Sequence, residues 1–256
     1  MARDRLQLLV YLARSELQRR HAGSAGGIAW TVISPMALIG AMWFALDIGL
    51  GMRATAGPGF GAALIVGMVG WLAFADSVSD ATTSVLRNPH LVKKVVFPIE
   101  LMPLATVAAS FAIHVVLLIV LALALAAIGQ LDLRMVWTLP LWMAQSIVVS
   151  SGIALIVSAL NVSVRDTQAV APFLTTIWFW LTPVVWSTSL LPSSWLWIVA
   201  LNPMAMVVEG YKSALTGSPL LFSLPSICGS LLGTVLICIA GAWLFAALRQ
   251  DFADSI

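Results

Sequence analysis

Four cationic side chains interrupt an otherwise apolar part of the chain between residues 85 and 104. They are Arg87, His90, Lys93 and Lys94. Prolines at positions 89, 98 and 103 show that the stretch is not one continuous helix. Since such charges cannot lie in hydrocarbon, the segment is expected to meet a partner in the aqueous phase.

Sequence patterns typical of catalysis are absent. The fragment Gly210-Tyr211-Lys212-Ser213 lacks the glycine that directly precedes lysine in a nucleotide-binding loop. The three histidines, at positions 21, 90 and 114, are far apart, and no Cys/His spacing suggests a metal site. We therefore predict that the chain is not an enzyme, that it holds no metal and that it carries no cofactor of its own.

Acidic groups also give little sign of ion coupling. Asp47 and Asp76 fall near the ends of apolar runs, where water reaches them. Among the histidines, only His114 falls in the middle of such a run. For His114, an interhelical hydrogen bond and a gating or substrate role both remain open.

Tryptophan side chains are the other candidates for a functional role in this sequence. Rings at five positions could anchor the protein in membrane interfaces, or they could line a path along which sugar rings stack their C–H faces. Both interpretations stay open at this stage. The candidate lining residues are Trp30, Trp43, Trp71, Trp178 and Trp180.

The composition identifies the elements that must position these residues. The 256 residues are 61% hydrophobic and 9% charged, with a mean hydropathy of +1.00, whereas an average soluble domain is about 25% charged. This balance predicts an all-α polytopic membrane protein. The net charge of +2 is too small to indicate nucleic-acid binding.

Six apolar runs are long enough to cross a bilayer. They lie near 28–48, 59–78, 101–128, 136–160, 167–187 and 226–248. With the N-terminus in the cytosol, ten of the thirteen lysines and arginines fall on the cytosolic side, and only Arg53, Arg134 and Lys212 fall outside. Both termini and the 79–100 segment are therefore predicted to be cytosolic.

Two further segments are predicted to lie at the membrane surface. Residues 1–25 contain a basic amphipathic interface helix, because Leu6, Leu9, Ala13 and Leu17 recur on one face; a purely topogenic basic segment is the alternative. Residues 188–216 are too apolar for a solvated loop, and Pro192 and Pro203 break them. We expect two short re-entrant helices on the outer side, before the last span.

Three stretches together resemble the ABC-2 type permeases that export polysaccharides such as O-antigen, capsule and teichoic acid. The first runs from Asn88 to Pro98. The second is Val164-Arg165-Asp166 with Leu181-Thr182-Pro183 downstream, and the third is Leu201-Asn202-Pro203-Met204 with Glu209-Gly210-Tyr211-Lys212. Two departures are Ile99 before Glu100, where the family often has arginine, and Lys212, where arginine is frequent.

This resemblance implies one transmembrane domain over 1–256 with a cytosolic coupling loop at 79–100, whose helix would start near Ser79 or Asp80. It also implies a homodimer of this permease and two copies of a separate ATPase that binds ATP and Mg²⁺. The cargo would be a lipid-linked polysaccharide, O-antigen first among the candidates, in the bacterial inner (plasma) membrane. The coupling residues would be Arg87, Asn88, His90, Leu91, Lys93, Lys94, Phe97 and Pro98.

The resemblance also assigns residues to the channel and to an outer gate. The first and fifth spans would line the channel, which favours the tryptophans named above. Arg165 and Asp166 would cap the fifth span at the cytosolic face, with substrate contact as the alternative. The outer gate would comprise Trp195, Trp197, Asn202, Pro203, Glu209, Tyr211 and Lys212.

Three alternatives remain beside this interpretation. An ABC-2 permease for a drug or a lipid would share the fold and differ in cargo. An ATPase-independent transporter or scaffold would need no partner at the charged segment. The segment could also be a positive-inside topogenic loop with no partner.

Overall fold

A computed structural model describes residues 2–21, 26–27, 29–57, 59–92, 97–220 and 222–252, and these residues form helices and connecting segments without a strand. Short 3₁₀ turns occur at Val136–Thr138, Thr188–Leu190, Ser193–Trp195 and Arg249–Asp251. The helices are α1 (Ala2–His21), α2 (Ala29–Trp43, continued by a π-helical turn over Phe44–Gly49), α3 (Met52–Ala56), α4 (Phe60–Thr82), α5 (Pro89–Val92), α6 (Leu101–Ala127), α7 (Leu139–Ser163), α8 (Thr167–Leu181), α9 (Leu196–Leu201), α10 (Pro203–Thr216) and α11 (Leu224–Leu248).

Five helical segments in the described part of the chain are long and apolar enough to cross a membrane. They are Ala29–Gly49, Phe60–Thr82, Leu101–Ala127, Val136–Ser163 and Leu224–Leu248. Each matches an expected span to within four residues. The protein is therefore a multi-pass, all-helical membrane protein in its described residues.

The sixth expected span, 167–187, contains a shorter helix. α8 has 15 residues, which reach about 22 Å, whereas the hydrocarbon core is about 30 Å thick. Beyond Leu181 the chain leaves helical geometry, because Pro183 cannot donate a backbone hydrogen bond. The six-span count is not established by helix length.

α4 and α10 form the centre of the molecule. In the most apolar window of α4, 72% of the residues are buried, against 11% for the first span and 17% for α11. α10 packs against α4 and α7, and almost every residue from Pro203 to Leu215 is buried. α2 and α11 lie at the periphery, where their apolar faces are open.

Local sequence signals explain where α10 begins and ends. Asn202 is the N-cap, and its side chain accepts a hydrogen bond from the Met204 amide at 3.0 Å. Pro203 follows at the first helical position, where a missing N–H costs nothing. Gly217 ends the helix with a left-handed φ of 68°.

The coupling helix does not start near Ser79 or Asp80, so that expectation was wrong. α4 continues through both residues to Thr82. The hydroxyls of Ser77 and Thr82 donate to carbonyls one turn earlier, and no proline follows until position 89. A helical turn in this segment begins instead at Pro89.

Glycine allows α7 and α11 to cross closely at one site. A Cβ added at Gly152 of α7 would lie 3.0 Å from the Cys238 backbone of α11, and one added at Gly241 would collide with the Gly152 backbone. The Gly229-x-x-x-Gly233 motif makes no comparable contact, since no atom approaches the Gly229 position within 4 Å.

The two ends of the described chain meet at one end of the molecule. Phe252 stacks edge-on against Phe245 of α11 and belongs to an apolar cluster with Val85, Val92 and Met102. α1 packs along α6, and its Arg5 lies 3.6 Å from Glu100. We call this the α1 end; the loops at 128–135 and 217–220 lie at the opposite end, where Asp132 contacts the backbone at Leu215.

Candidate functional site

Charged side chains from three elements converge at the α1 end. Glu16 of α1 accepts hydrogen bonds from Arg19 and from Arg87, the latter at 3.3 Å. Arg20 of α1 lies 2.7 Å from the Asp80 carboxylate in the last turn of α4. Arg87 also donates to the Asp80 carbonyl at 2.9 Å. The network therefore joins α1, α4 and the segment that follows α4.

The electrostatics of the network favour its charged state. Burial raises the pKa of Glu16, but the hydrogen bond from Arg19 and the charges of Arg87, Arg19 and Arg20 outweigh it, so that the net pKa lies below its usual value. Burial lowers the pKa of Arg87, and the Glu16 carboxylate opposes that effect. Both groups stay ionised at neutral pH, as an ion pair requires.

The predicted coupling residues fall into an inward set and an outward set. Arg87 is half-buried in the network, and the Asn88 side chain donates to the Ser84 carbonyl at 3.0 Å. Leu91 and Phe97 pack partly against the Val85 cluster. His90 is exposed and Pro98 is half-buried. Lys93 and Lys94 lie outside the described residues.

An aromatic groove runs between α2, α4 and α8. It encloses about 430 Å³ and is lined by Trp71 of α4, by Phe179 and Trp180 of α8, and by Leu38 and Met42 of α2. The rings of Trp71 and Phe179 meet edge-on with centroids 5.7 Å apart. Two of the five predicted lining tryptophans, Trp71 and Trp180, therefore share one groove.

The other three predicted tryptophans do not line this groove, although the ring of Trp178 meets that of Trp71 edge-on with centroids 6.4 Å apart. Trp30 lines an adjoining cavity of about 430 Å³ together with Arg20 and Ser34. Trp43 is half-buried, and its ring would be 2.8 Å from a Cβ added at Gly61. Trp178 directs its N–H to the Asn202 side chain at 2.9 Å. These positions do not form one continuous aromatic surface within a single copy of the chain.

The predicted gate residues divide between surface and interior. Trp195 and Trp197 are 55% and 60% exposed. Pro203, Tyr211 and Lys212 are buried in the α10 core. Gate residues on α10 thus contact the spans directly, whereas Trp195 before α9 and Trp197 within α9 face outward.

Polar contacts of α10 fix it to its neighbours. Asn202 accepts from Trp178 and donates to the Thr182 hydroxyl at 2.9 Å, so it joins α8 to α10. The Lys212 ammonium donates to the Pro183 carbonyl at 2.5 Å and lies 2.9 Å from Glu209. These contacts hold the non-helical segment after α8 against the core.

His114 forms an interhelical hydrogen bond, which is one of the two roles that the sequence left possible for it. Its Nε2 lies 3.0 Å from the hydroxyl of Tyr211 on α10, and both side chains are buried. The other ring nitrogen, Nδ1, has no hydrogen-bond partner within the described residues. The contact joins α6 to α10 in the middle of the molecule, and its part in gating stays untested.

Arg165 and Asp166 are both exposed at the start of α8. Asp166 occupies the N-cap position, as expected, but its side chain makes no capping hydrogen bond. The carboxylate therefore stays accessible to solvent.

Two features of the site were missed at the sequence level. Glu16 and Arg20 were not singled out, although Glu16 falls on the apolar stripe of α1, three residues after Ala13, where a buried charge needs a partner. Asp76 lines both cavities beside α2. The sequence placed Asp76 near the end of the second apolar run, with Asp80 one turn later, but did not indicate its position beside these cavities.

No group of three or more His, Cys, Asp or Glu side chains that could hold a metal ion occurs among the described residues. The arrangement offers instead an ion-paired surface at one end and an aromatic groove that leads away from it.

Comparison with known proteins agrees with this layout. Residues 7–216 match the model of the ABC-2 type transporter family. An O-antigen export system permease protein RfbA from Klebsiella pneumoniae is 27% identical over 248 residues, which cover 96% of this chain and 94% of that protein. A protein of the same name from Myxococcus xanthus is 28% identical over 254 residues, covering 97% and 95% of the two chains.

Proposed function

This chain belongs to the ABC-2 type transporter family, and from that premise we propose that it is the channel-forming subunit of an ATP-driven exporter of lipid-linked O-antigen. The proposed cargo rests on the similarity to O-antigen export permeases along nearly the whole length of both chains.

The energy source is a separate ATPase. Two permease copies and two ATPase copies form the exporter, and the ATPases bind ATP and Mg²⁺. The exposed His90, beside the half-buried Leu91 and Pro98, gives the docking surface. Support comes from the absence of a nucleotide-binding loop in this sequence and from the rigid attachment of residues 83–92 to the fold through Arg87 and Val85.

The chain crosses the membrane six times, with both termini in the cytosol. α1 and Phe252 lie at one end of the molecule, which requires an even number of crossings between them. Five long helices give an odd number, so α8 and the following residues 182–187 supply the sixth. The lysine and arginine distribution places the α1 end on the cytosolic side of the inner membrane.

The segment after α8 re-enters the membrane from outside. The N-terminal end of α10 lies beside Trp178, whose ring stacks on Phe74 in the interior of α4. Its C-terminal end reaches Asp132 at the opposite end of the molecule. α9 and α10 thus descend and return, and protein covers α10 where its backbone is deepest.

Two copies of the chain close the export path. The fifth-span helix α8 has a row of exposed apolar side chains, including Phe173, Ile177 and Trp180, and the first span is similarly open. The groove between them is open along one side. A second copy facing this side completes a channel lined by the first and fifth spans.

A complementation experiment tests the proposal. A bacterial strain that lacks its own O-antigen permease is supplied with this chain and the ATPase encoded beside it, and the surface O-antigen is quantified by immunoblotting. Restored surface O-antigen supports the proposal. Intracellular accumulation of the polymer despite normal membrane insertion contradicts the cargo, and export of a drug or lipid in the same cells would support those cargoes instead.

A further inference from the structure

Asp76 occupies an unusual position beside the groove. It lies on α4, one turn before Asp80, and it lines both the aromatic groove and the adjoining cavity that contains Trp30. Leu38 and Leu72 also line both spaces, so the two cavities adjoin at Asp76. A carboxylate therefore stands at the junction of the two cavities beside α2.

The Asp76 carboxylate is not used by the fold. Within the described ranges, no hydrogen bond or ion pair to it is found. Arg20, which lines the adjoining cavity, directs its guanidinium to Asp80 at 2.7 Å and to the Ser110 hydroxyl at 3.0 Å. Asp76 is exposed to these cavities, so its carboxylate is available to a ligand.

The polar groups that share the groove with Asp76 are mainly acceptors. The hydroxyl of Thr175 donates to the Ala171 carbonyl at 2.8 Å, and that of Thr176 donates to Pro172 at 2.9 Å. Their protons are used within α8, which leaves oxygen lone pairs toward the groove. The ligand must therefore supply hydrogen-bond donors.

Aromatic surface completes the chemistry of the groove. Trp71 and Phe179 form its wall, and the ring of Trp180 is 55% exposed beside them. Rings of this kind stack on the apolar face of a sugar, while a carboxylate accepts hydrogen bonds from its hydroxyls. The volume of about 430 Å³ lies within the range of ligand sites, roughly 300–1,000 Å³.

From this geometry, and resting on the proposed function, we infer that Asp76 is the specificity residue of a sugar-binding subsite between α2, α4 and α8 that accepts uncharged sugar units and rejects acidic ones. Arg20 forms its ion pair with Asp80, so Asp76 has no ion-pair partner of its own among the described residues. A uronic acid carboxylate there would face the Asp76 carboxylate, and like charges repel.

Binding of matched polymers to the purified permease–ATPase complex tests the inference. The probes are delipidated O-polysaccharide from the strain that carries this chain and the same polymer oxidised at primary hydroxyls to uronic acids. Binding is followed by quenching of tryptophan fluorescence. The wild-type complex is expected to bind the neutral polymer about tenfold or more tightly than the oxidised one.

The variant Asp76→Asn is expected to bind the neutral polymer about tenfold more weakly, since charge-assisted hydrogen bonds are lost, and to bring the ratio between the two polymers close to one. Asp132→Asn removes a carboxylate at the opposite end and is expected to bind like wild type. Thermal unfolding of both variants verifies folding, and Asp76→Glu should recover discrimination.

Three results would overturn the inference: no binding of either polymer to the wild type, equal wild-type affinity for both, or unchanged selectivity in Asp76→Asn. None of them touches the proposed function, because complementation by the wild-type chain measures export separately. Conversely, the chain could fail to restore O-antigen export while the purified complex still prefers the neutral polymer. That result would support the sugar subsite and contradict its assignment to O-antigen export.

Discussion

At the scale of single residues, the protein places ionised side chains where they can be paired. Glu16, Arg20, Asp80 and Arg87 compensate one another at the α1 end. Lys212 is paired with Glu209 inside the α10 core. Asp76 has no ion-pair partner among the described residues, and the inferred sugar subsite would give its carboxylate a use. Each paired group can therefore be tested by removing its partner's charge.

Glu16→Gln is expected to destabilise the protein by about 1–3 kcal/mol at pH 7, because the half-buried Arg87 loses its charged partner. The lowered folded-state pKa of Glu16 means that its contribution is complete above the ordinary value of 4.5 and is lost as pH falls through the lowered pKa. Thermal unfolding of wild type and variant should differ at pH 7 and converge in acid. As a control, Glu100→Gln removes a looser pair with Arg5 at 3.6 Å and should cost less than about 1 kcal/mol.

Tyr211→Phe and His114→Phe test the interhelical bond between α6 and α10. Removing either partner of the 3.0 Å contact should lower stability, with a coupling energy of about 1 kcal/mol in a double-mutant cycle. Export per folded complex should stay unchanged. If export falls while the coupling energy is near zero, His114 acts in gating instead.

At the scale of helices, sequence periodicity located most of the fold. The long apolar runs and α1 were predicted within a few residues. The ends of two helices, α8 and α4, depend on local and tertiary contacts that sequence periodicity does not reveal. α8 ends at Leu181 because Pro183 and the contacts of Asn202 hold the chain in a non-helical form, and α4 continues past Ser79 because its hydroxyls bond within the helix.

The candidate site was predicted less completely than the helices. Trp71 and Trp180 were identified because large aromatics away from the membrane interface are unusual, and they share one groove. The pairing of Glu16 and the position of Asp76 beside the groove were missed because both depend on which helices pack together. That packing includes residues far apart in the chain, such as Glu16 and Arg87.

Gly152→Ala tests the packing of α7 on α11. The added methyl group would lie 2.9 Å from Ile237 and 3.0 Å from the Cys238 backbone, so we expect a destabilisation of about 1–3 kcal/mol. Gly229→Ala is the matched control, because the space around it is open, and helix propensity should make it neutral or slightly stabilising. Equal unfolding temperatures for the two variants would contradict the close crossing.

At the scale of the whole molecule, the proposed topology rests on the position of α1 and Phe252 at the same end. Five helical segments in the described part of the chain are long enough to cross a membrane, and two termini on one side would need an even number of crossings. Six crossings satisfy both observations if α8 and the residues after it traverse the membrane together. This topology also brings residues 83–92 to the same side as both termini.

Cysteine labelling measures the topology directly. In a background with Cys228 and Cys238 replaced by serine, single cysteines are introduced as Gln18→Cys, Gln250→Cys and Gln130→Cys, all at exposed positions. A membrane-impermeant maleimide applied to spheroplasts should label only the Gln130→Cys variant, and lysis should expose the other two. Labelling of exactly one of the two terminal positions in intact spheroplasts would establish an odd number of crossings.

The central claim is that a separate ATPase drives export by pushing on the segment after α4. ATP-dependent translocation of lipid-linked O-antigen is measured in proteoliposomes that contain the purified complex. The wild-type chain should retain the ATPase through purification and translocate only with ATP. His90→Glu combined with Lys94→Glu should reduce translocation about tenfold or more through lost docking energy, at unchanged membrane insertion, whereas Arg134→Glu at the opposite end should leave it intact. Translocation by the permease alone, or at the wild-type rate in the charge-reversed variant, would contradict the account.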